Sequence, residues 1–216
     1  MISSPHIFVL ISQFQHHQQS LLPDFLRTLQ LFVKNLIKDL NLHEFNVPIF
    51  FTSPFWDSNT LHKMFLEKAN EVVQSEEKED VALLLVGHGQ PDQWDEEFPT
   101  ETEHEIGFRE KIIDLFIKDG YKPENLSLAW MEFKDPKPAE KIDEFIGNGV
   151  KKIIFFSAGI SADSIHSQYD IPSLVYKSKI PKDVEVIDLG AWNNHPLAIE
   201  AFKERIDKYL TLNQQS

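Results

Sequence analysis

Two histidines and one glutamate mark the positions where this chain could do chemistry: His88 in Val-Gly-His-Gly-Gln, Glu132 in Trp-Met-Glu-Phe and His166 in Ser-Ile-His-Ser. A neutral imidazole can ligate a divalent ion and accept a proton near neutral pH. A carboxylate offsets the ion's charge, and one set between apolar neighbours such as Met131 and Phe133 takes a raised pKa suited to proton transfer. Two histidines with one carboxylate form a recurrent metal-ligand set. Each residue also has a plainer reading. His88 could cap a turn, Glu132 could reach solvent or pair with Lys134, and His166 could be an exposed loop residue. Gly87 and Gly89 permit a tight turn and close approach of a ligand to the backbone. The segment is not a phosphate loop, because the glycine spacing and lysine of that motif are absent. Asp163 and Asp170 flank His166 and could orient its ring, and Pro172 stops any helical turn there.

The elements that must position these residues are legible as short apolar runs alternating with helical patterns. Runs at 7–11, 47–51, 81–86, 126–131, 153–156 and 184–189 are continuously apolar, as in strands covered on both faces. Between them, Phe25, Leu26, Leu29, Phe32, Val33, Leu36 and Ile37 form one helical stripe, and Phe108, Ile112, Ile113, Leu115 and Phe116 another. Ile142, Phe145 and Ile146 mark a third helix ended by Gly147 and Gly149, and 195–210 reads as the last. Strand–helix alternation implies an α/β fold, parallel sheets with helices on both faces. The charged segment 74–80 reads as a helix end plus linker. It divides the chain into a first α/β domain at 1–80, which reads as incomplete, and a second at 81–216. A faint echo between "SPFWDSNTLHKMFLEKA" and "GAWNNHPLAIEAFKERI" suggests two similar domains. Ligands of such sheets sit beyond the carboxyl ends of the strands. His88, Glu132 and His166 follow three successive strands of the second domain at that edge.

Bulk properties narrow the chemistry. The 216 residues carry a formal net charge of −13. An acidic chain repels a phosphate backbone, which excludes nucleic acid as the expected partner. The acidity suits solubility and also attracts cations. With no cysteine, thiolate metal sites, disulfides and cysteine nucleophiles are excluded. Any metal site must use imidazole and carboxylate, which suits zinc, iron, cobalt or nickel. No secretory signal or membrane span is expected, so the expected compartment is the cytoplasm. The remaining histidines carry less weight. His6 opens a strand, His16 and His17 sit in a polar stretch, His43, His62 and His104 read as surface positions, and His195 starts the last helix. The acidic stretch 92–105 reads as a solvated loop. Phe55, Trp56, Trp94, Trp130 and Trp192 lie near strand ends, either as walls for a flat ligand or as core.

"LLLVGHGQ", "LAWMEFKDPKPAEKIDEFIGNGVKKIIFF" and "IHSQYDIP" together resemble the class II tetrapyrrole chelatases, the ferrochelatases and the sirohydrochlorin cobalt, nickel or iron chelatases. The likeness runs over about 81–210. It implies two flavodoxin-like domains facing a cleft, and insertion of Co²⁺, Fe²⁺ or Ni²⁺ into sirohydrochlorin or a related porphyrin. His88, Glu132 and His166 would be the metal-binding and catalytic residues, and Gln90, Trp130, Ser161 and Asp163 would meet the macrocycle. No organic cofactor is implied. A histidine at 166, where protoporphyrin ferrochelatases usually have glutamate, points to the sirohydrochlorin type. Three departures stand out: Gln90 replaces the usual serine, the acidic insertion after it is longer, and the first domain is short. About 80 residues before Val81 fall below the ~100–150 of a typical domain, so the domain is reduced, or the chain is a fragment, or a second copy completes the cleft as a homodimer. The rival function is a non-catalytic carrier or sensor of a tetrapyrrole or metal. A hydrolase using His88 as base ranks low, since no nucleophile-elbow serine motif accompanies it.

Overall fold

The computed structural model describes residues 54–213 other than Phe98, together with the short strands β1 (Ile7–Val9) and β2 (Ile49–Phe51). The expected helix at 23–40, with His6, His16, His17 and His43, lies outside the described residues. The chain divides into two compact units, 1–54 with 204–216, and 55–203. In the first, β1 and β2 pair in parallel, with Ile7 opposite Ile49 and Val9 opposite Phe51.

The second unit carries a four-stranded parallel sheet. Its strands are β3 (Val81–Gly87), β4 (Leu126–Trp130), β5 (Lys152–Ser157) and β6 (Glu185–Asp188). They lie in the order β4-β3-β5-β6. Every residue of β3 is buried, as a continuous Val/Leu run flanked by two strands and covered on both faces requires. β6 departs from that expectation. It is only partly buried, because an edge strand pairs on one side and leaves part of its surface to water.

The helices are α1 (Asn59–Asn70), α2 (Asp92–Glu97), α3 (Pro99–Lys118), α4 (Pro138–Gly147), α5 (Ile171–Val175) and α6 (Pro196–Asn213). From β3 the chain moves outward to β4, then back past β3 to β5. Right-handed crossovers therefore put α3 on one face and α4 and α5 on the other. α1 joins the α3 face: the rings of Phe65 and Phe108 meet edge-on at 5.8 Å, and Phe65 meets Phe156 of β5 at 5.1 Å. The hydroxyl of Ser58 caps α1 by accepting from the Leu61 amide, and its Leu61, Met64, Phe65 and Ala69 are buried.

The division expected at 80/81 falls inside this unit, which begins at Phe55. The charged segment there is a 3₁₀ turn, Ser75–Asp80, leading straight into β3. Its side chains at 77–80 are exposed or half-buried, so composition alone makes it look like a linker, while α1 before it is packed on the sheet. His62 also corrects the surface reading. It is 2% exposed, and its ring lies 5.0 Å from that of Phe108. Burial, with Lys111 nearby, pushes its pKa down to about 4.

Candidate functional site

The carboxyl edge of the sheet is built on glycine at two positions. A Cβ at Gly87 would stand 2.3 Å from Oε1 of Glu105 and 2.6 Å from the guanidinium carbon of Arg109. Gly89 has φ +83°, and a Cβ there would stand 2.4 Å from the carbonyl oxygen of Glu132. The turn therefore needs glycine on both sides of His88, first to admit buried side chains and then to let two backbones touch. Pairing of β3 and β4 continues past their register: Met131 donates its amide to Gly87 O at 2.8 Å, and Glu132 donates to His88 O at 3.0 Å.

His88 and His166 come together, their ring centroids 5.2 Å apart and their planes at 76°. Nδ1 of His88 lies 2.7 Å from Gly89 O. A carbonyl can only accept, so Nδ1 carries the proton and the lone pair of the neutral ring falls on Nε2. His166 sits in a π turn, His166–Asp170, and its Nδ1 lies 2.7 Å from Oδ2 of Asp170. The carboxylate fixes the same tautomer there and raises the ligating power of Nε2. Of the two flanking acids named from the sequence, Asp170 orients this ring. Asp163 accepts from Gln168 Nε2 at 3.0 Å and Asn193 Nδ2 at 2.9 Å.

Glu132 stands next to His88 through its backbone, but its side chain is exposed. It forms no close ligand set with the two imidazoles. Among the described residues, three such groups with ligand atoms within 4.8 Å of one another are Glu67, Glu71 and His195. This acidic–histidine cluster could in principle hold a metal ion. Its histidine is differently committed, however. Leu197 donates its amide to His195 Nδ1 at 3.3 Å, so the lone pair is on Nδ1 and Nε2–H faces Glu67 Oε1 at 3.9 Å.

The other residues expected to meet a ligand have structural partners. Gln90 is buried and donates to Asp95 Oδ1 at 2.6 Å. Trp130 is buried, with Arg109 stacked 3.9 Å over its ring. The carbonyl of Ser161 accepts from the Asn193 amide at 3.0 Å. With Asp163, it fastens the loop after β5 to the loop after β6. Phe55 and Trp192 are core, the indole N–H of Trp192 donating to Ala158 O at 2.8 Å. The acidic stretch is helical, forming α2 and the start of α3. Lys134, read as a partner for Glu132, instead bonds Asp92 at 2.6 Å and Asp95. Burial acts to raise the carboxyl pKa of Asp95, but hydrogen bonds from Lys134, Thr102 and Gln90 more than offset it and hold it low.

Sequence reasoning missed Glu105, Arg109 and Lys68. Glu105 is buried, and burial pushes its carboxyl pKa up despite Arg109 beside it. Arg109 is fully buried, and burial brings its guanidinium down to about 10. The signal was periodicity: Glu105, Phe108, Arg109, Ile112 and Phe116 lie on one helical stripe, so both charges face the sheet. Lys68 donates to Leu189 O at 2.5 Å and Ala191 O at 2.8 Å, tying α1 to the loop after β6. No protein-family model matches the chain, and no curated protein matches it.

Proposed function

We propose that this chain is a tetrapyrrole metal chelatase that inserts Co²⁺, Fe²⁺ or Ni²⁺ into sirohydrochlorin or a related porphyrin. The observation that carries the reading is the His88–His166 pair, with rings 5.2 Å apart and both Nδ1 atoms engaged so that the lone pairs fall on Nε2. The strand order adds support. Numbered within the second unit it is 2-1-3-4, as in the first strands of flavodoxin-like sheets. The two histidines follow strands 1 and 3, between which such sheets bind their ligands. The chelatase-like motifs at 81–210 join this geometry to the reaction.

Metal insertion removes two pyrrole protons and strips water from the ion. In this reading the two Nε2 atoms hold the incoming ion, which is substrate rather than resident cofactor. The imidazoles take the released protons as the ion passes to the ring nitrogens. Glu132, whose amide makes the last of these backbone pairings, contributes charge and proton acceptance when a macrocycle lies over the edge. Its side chain is exposed and joins no close three-residue ligand group with the two histidines, which favours a second reading, a carrier or sensor that binds metal or tetrapyrrole without turnover. Optical titration with sirohydrochlorin and Co²⁺ separates them. A chelatase accelerates formation of the cobalt product over the protein-free rate, and His88→Ala and His166→Ala each abolish the acceleration while circular dichroism stays unchanged. A spectral shift without acceleration is the carrier's result. Full activity in both variants removes the site.

A further inference from the structure

We propose that Glu105 is the positioning residue of His88: a buried carboxylate on α3 that sets where the imidazole stands by gripping the backbone beneath it. The functional consequence rests on the metal-handling reading of the His88–His166 pair. Oε1 of Glu105 accepts from the His88 amide at 3.0 Å, and the carboxylate also accepts from the Gly89 amide. Two successive amides thus converge on one anionic group, an arrangement that fixes the peptide planes on both sides of the His88 Cα. Gly87 supplies the opening, since any side chain there would occupy the place of Oε1.

The helix segment that carries the carboxylate is held as well, since Arg109 Nε donates to Glu105 O at 3.3 Å. Arg109, one helical turn later, donates through Nη1 to Leu85 O at 3.2 Å and Ala129 O at 2.7 Å, carbonyls of β3 and β4. The pair therefore references the turn to both strands of the sheet. Stability alone is a poor account of it. Withdrawing two charges from water is costly, and apolar residues of like volume commonly serve as well. Nη2 of Arg109 is buried without a hydrogen-bond partner among the described residues, a deficit that a purely structural site would be expected to avoid. What apolar replacements cannot supply is an acceptor for two amides at the base of a functional turn.

The test is Glu105→Gln. Glutamine fills the same space but offers one acceptor oxygen and turns an NH₂ group on the second amide. Two readouts separate positioning from packing: the nuclear Overhauser contact between the His88 and His166 rings, and Co²⁺ binding followed by visible absorption. The proposal expects cooperative melting to persist, the ring contact to be lost, and Co²⁺ affinity to fall roughly 10- to 100-fold, the usual scale for groups that orient a ligand from behind. A retained ring contact overturns it, whatever happens to the affinity. Should the single variant not fold, Glu105→Gln with Arg109→Met removes both charges and takes the same measurements. Undiminished Co²⁺ binding in His88→Ala would sink the metal reading, leaving the ring contact to decide the positioning claim by itself.

Discussion

The tautomers of the three histidines near the sheet edge follow from what each Nδ1 touches. A carbonyl at His88 and a carboxylate at His166 make Nδ1 a donor, while an amide at His195 makes it an acceptor. The same ring therefore presents opposite faces at the two places, a lone pair at the paired histidines and an N–H at His195. That difference separates the His88–His166 pair from the Glu67–Glu71–His195 cluster more sharply than proximity does. Gly89 offers a test at this scale. Alanine there must adopt φ +83° and bring its methyl to 2.4 Å from a backbone oxygen. Gly89→Ala should destabilise the fold by more than ~1 kcal/mol, the ordinary cost of an alanine forced to positive φ. Urea unfolding of the two proteins measures it, and an unchanged midpoint would contradict the packing of Glu132 on the turn. The glycines around His88 were visible in the sequence, and so was their permissiveness. That Gly87 makes room for a carboxylate 18 residues further on was not, because the packing of a helix on a strand end has no local signature.

Among the elements, α1 and α3 hold the residues that pattern reading misplaced. Phe108, Ile112 and Phe116 identified the apolar stripe of α3 correctly. Glu105 and Arg109 on the same stripe were overlooked because charge was taken to mean exposure. His62 reads as a surface position in the sequence, although it falls between Leu61 and Met64 on the inner side of α1. Its burial has a pH consequence whose sign is fixed. The unfolded chain takes up a proton near the ordinary histidine value of 6.5, whereas the folded protein does so only at about 4. In that interval the unfolded state binds more protons, so stability falls as pH drops from 6.5 towards 4 and this contribution is constant above 6.5. Thermal melting between pH 7 and pH 4.5 should show this loss, and His62→Phe should flatten it. An equal slope in both proteins would show that His62 titrates normally. β6 was the other misreading at this level. Val186 and Ile187 gave it the apolar look of a central strand, and nothing in four residues reveals that one side has no strand neighbour among the described residues.

At the level of the molecule, parallel α/β architecture was recoverable from the alternation of short apolar runs with longer amphipathic ones. The order β4-β3-β5-β6 was not, since it is set by which strand edges remain open after each crossover. That order gives β3 two strand neighbours and makes its seven residues the interior of the unit. Backbone hydrogen exchange should therefore be slowest in 81–87 and markedly faster in 185–188, because edge amides open without breaching the core. Mass-resolved exchange reads this directly, and equal protection of the two strands would contradict the topology. No helix among the described residues is long and apolar enough to cross a membrane, and the net charge of −13 draws cations towards the surface in general.

The vacancy of a single methyl group at position 87 has an evolutionary reach. Glu105 occupies the space that a larger residue there would need, so position 87 is not free to change first. A lineage could acquire alanine at 87 only after shortening the side chain at 105, and that intermediate would have slackened the turn under His88. The two sites should drift as a locked couple, and the glycine would persist through descent on steric grounds alone.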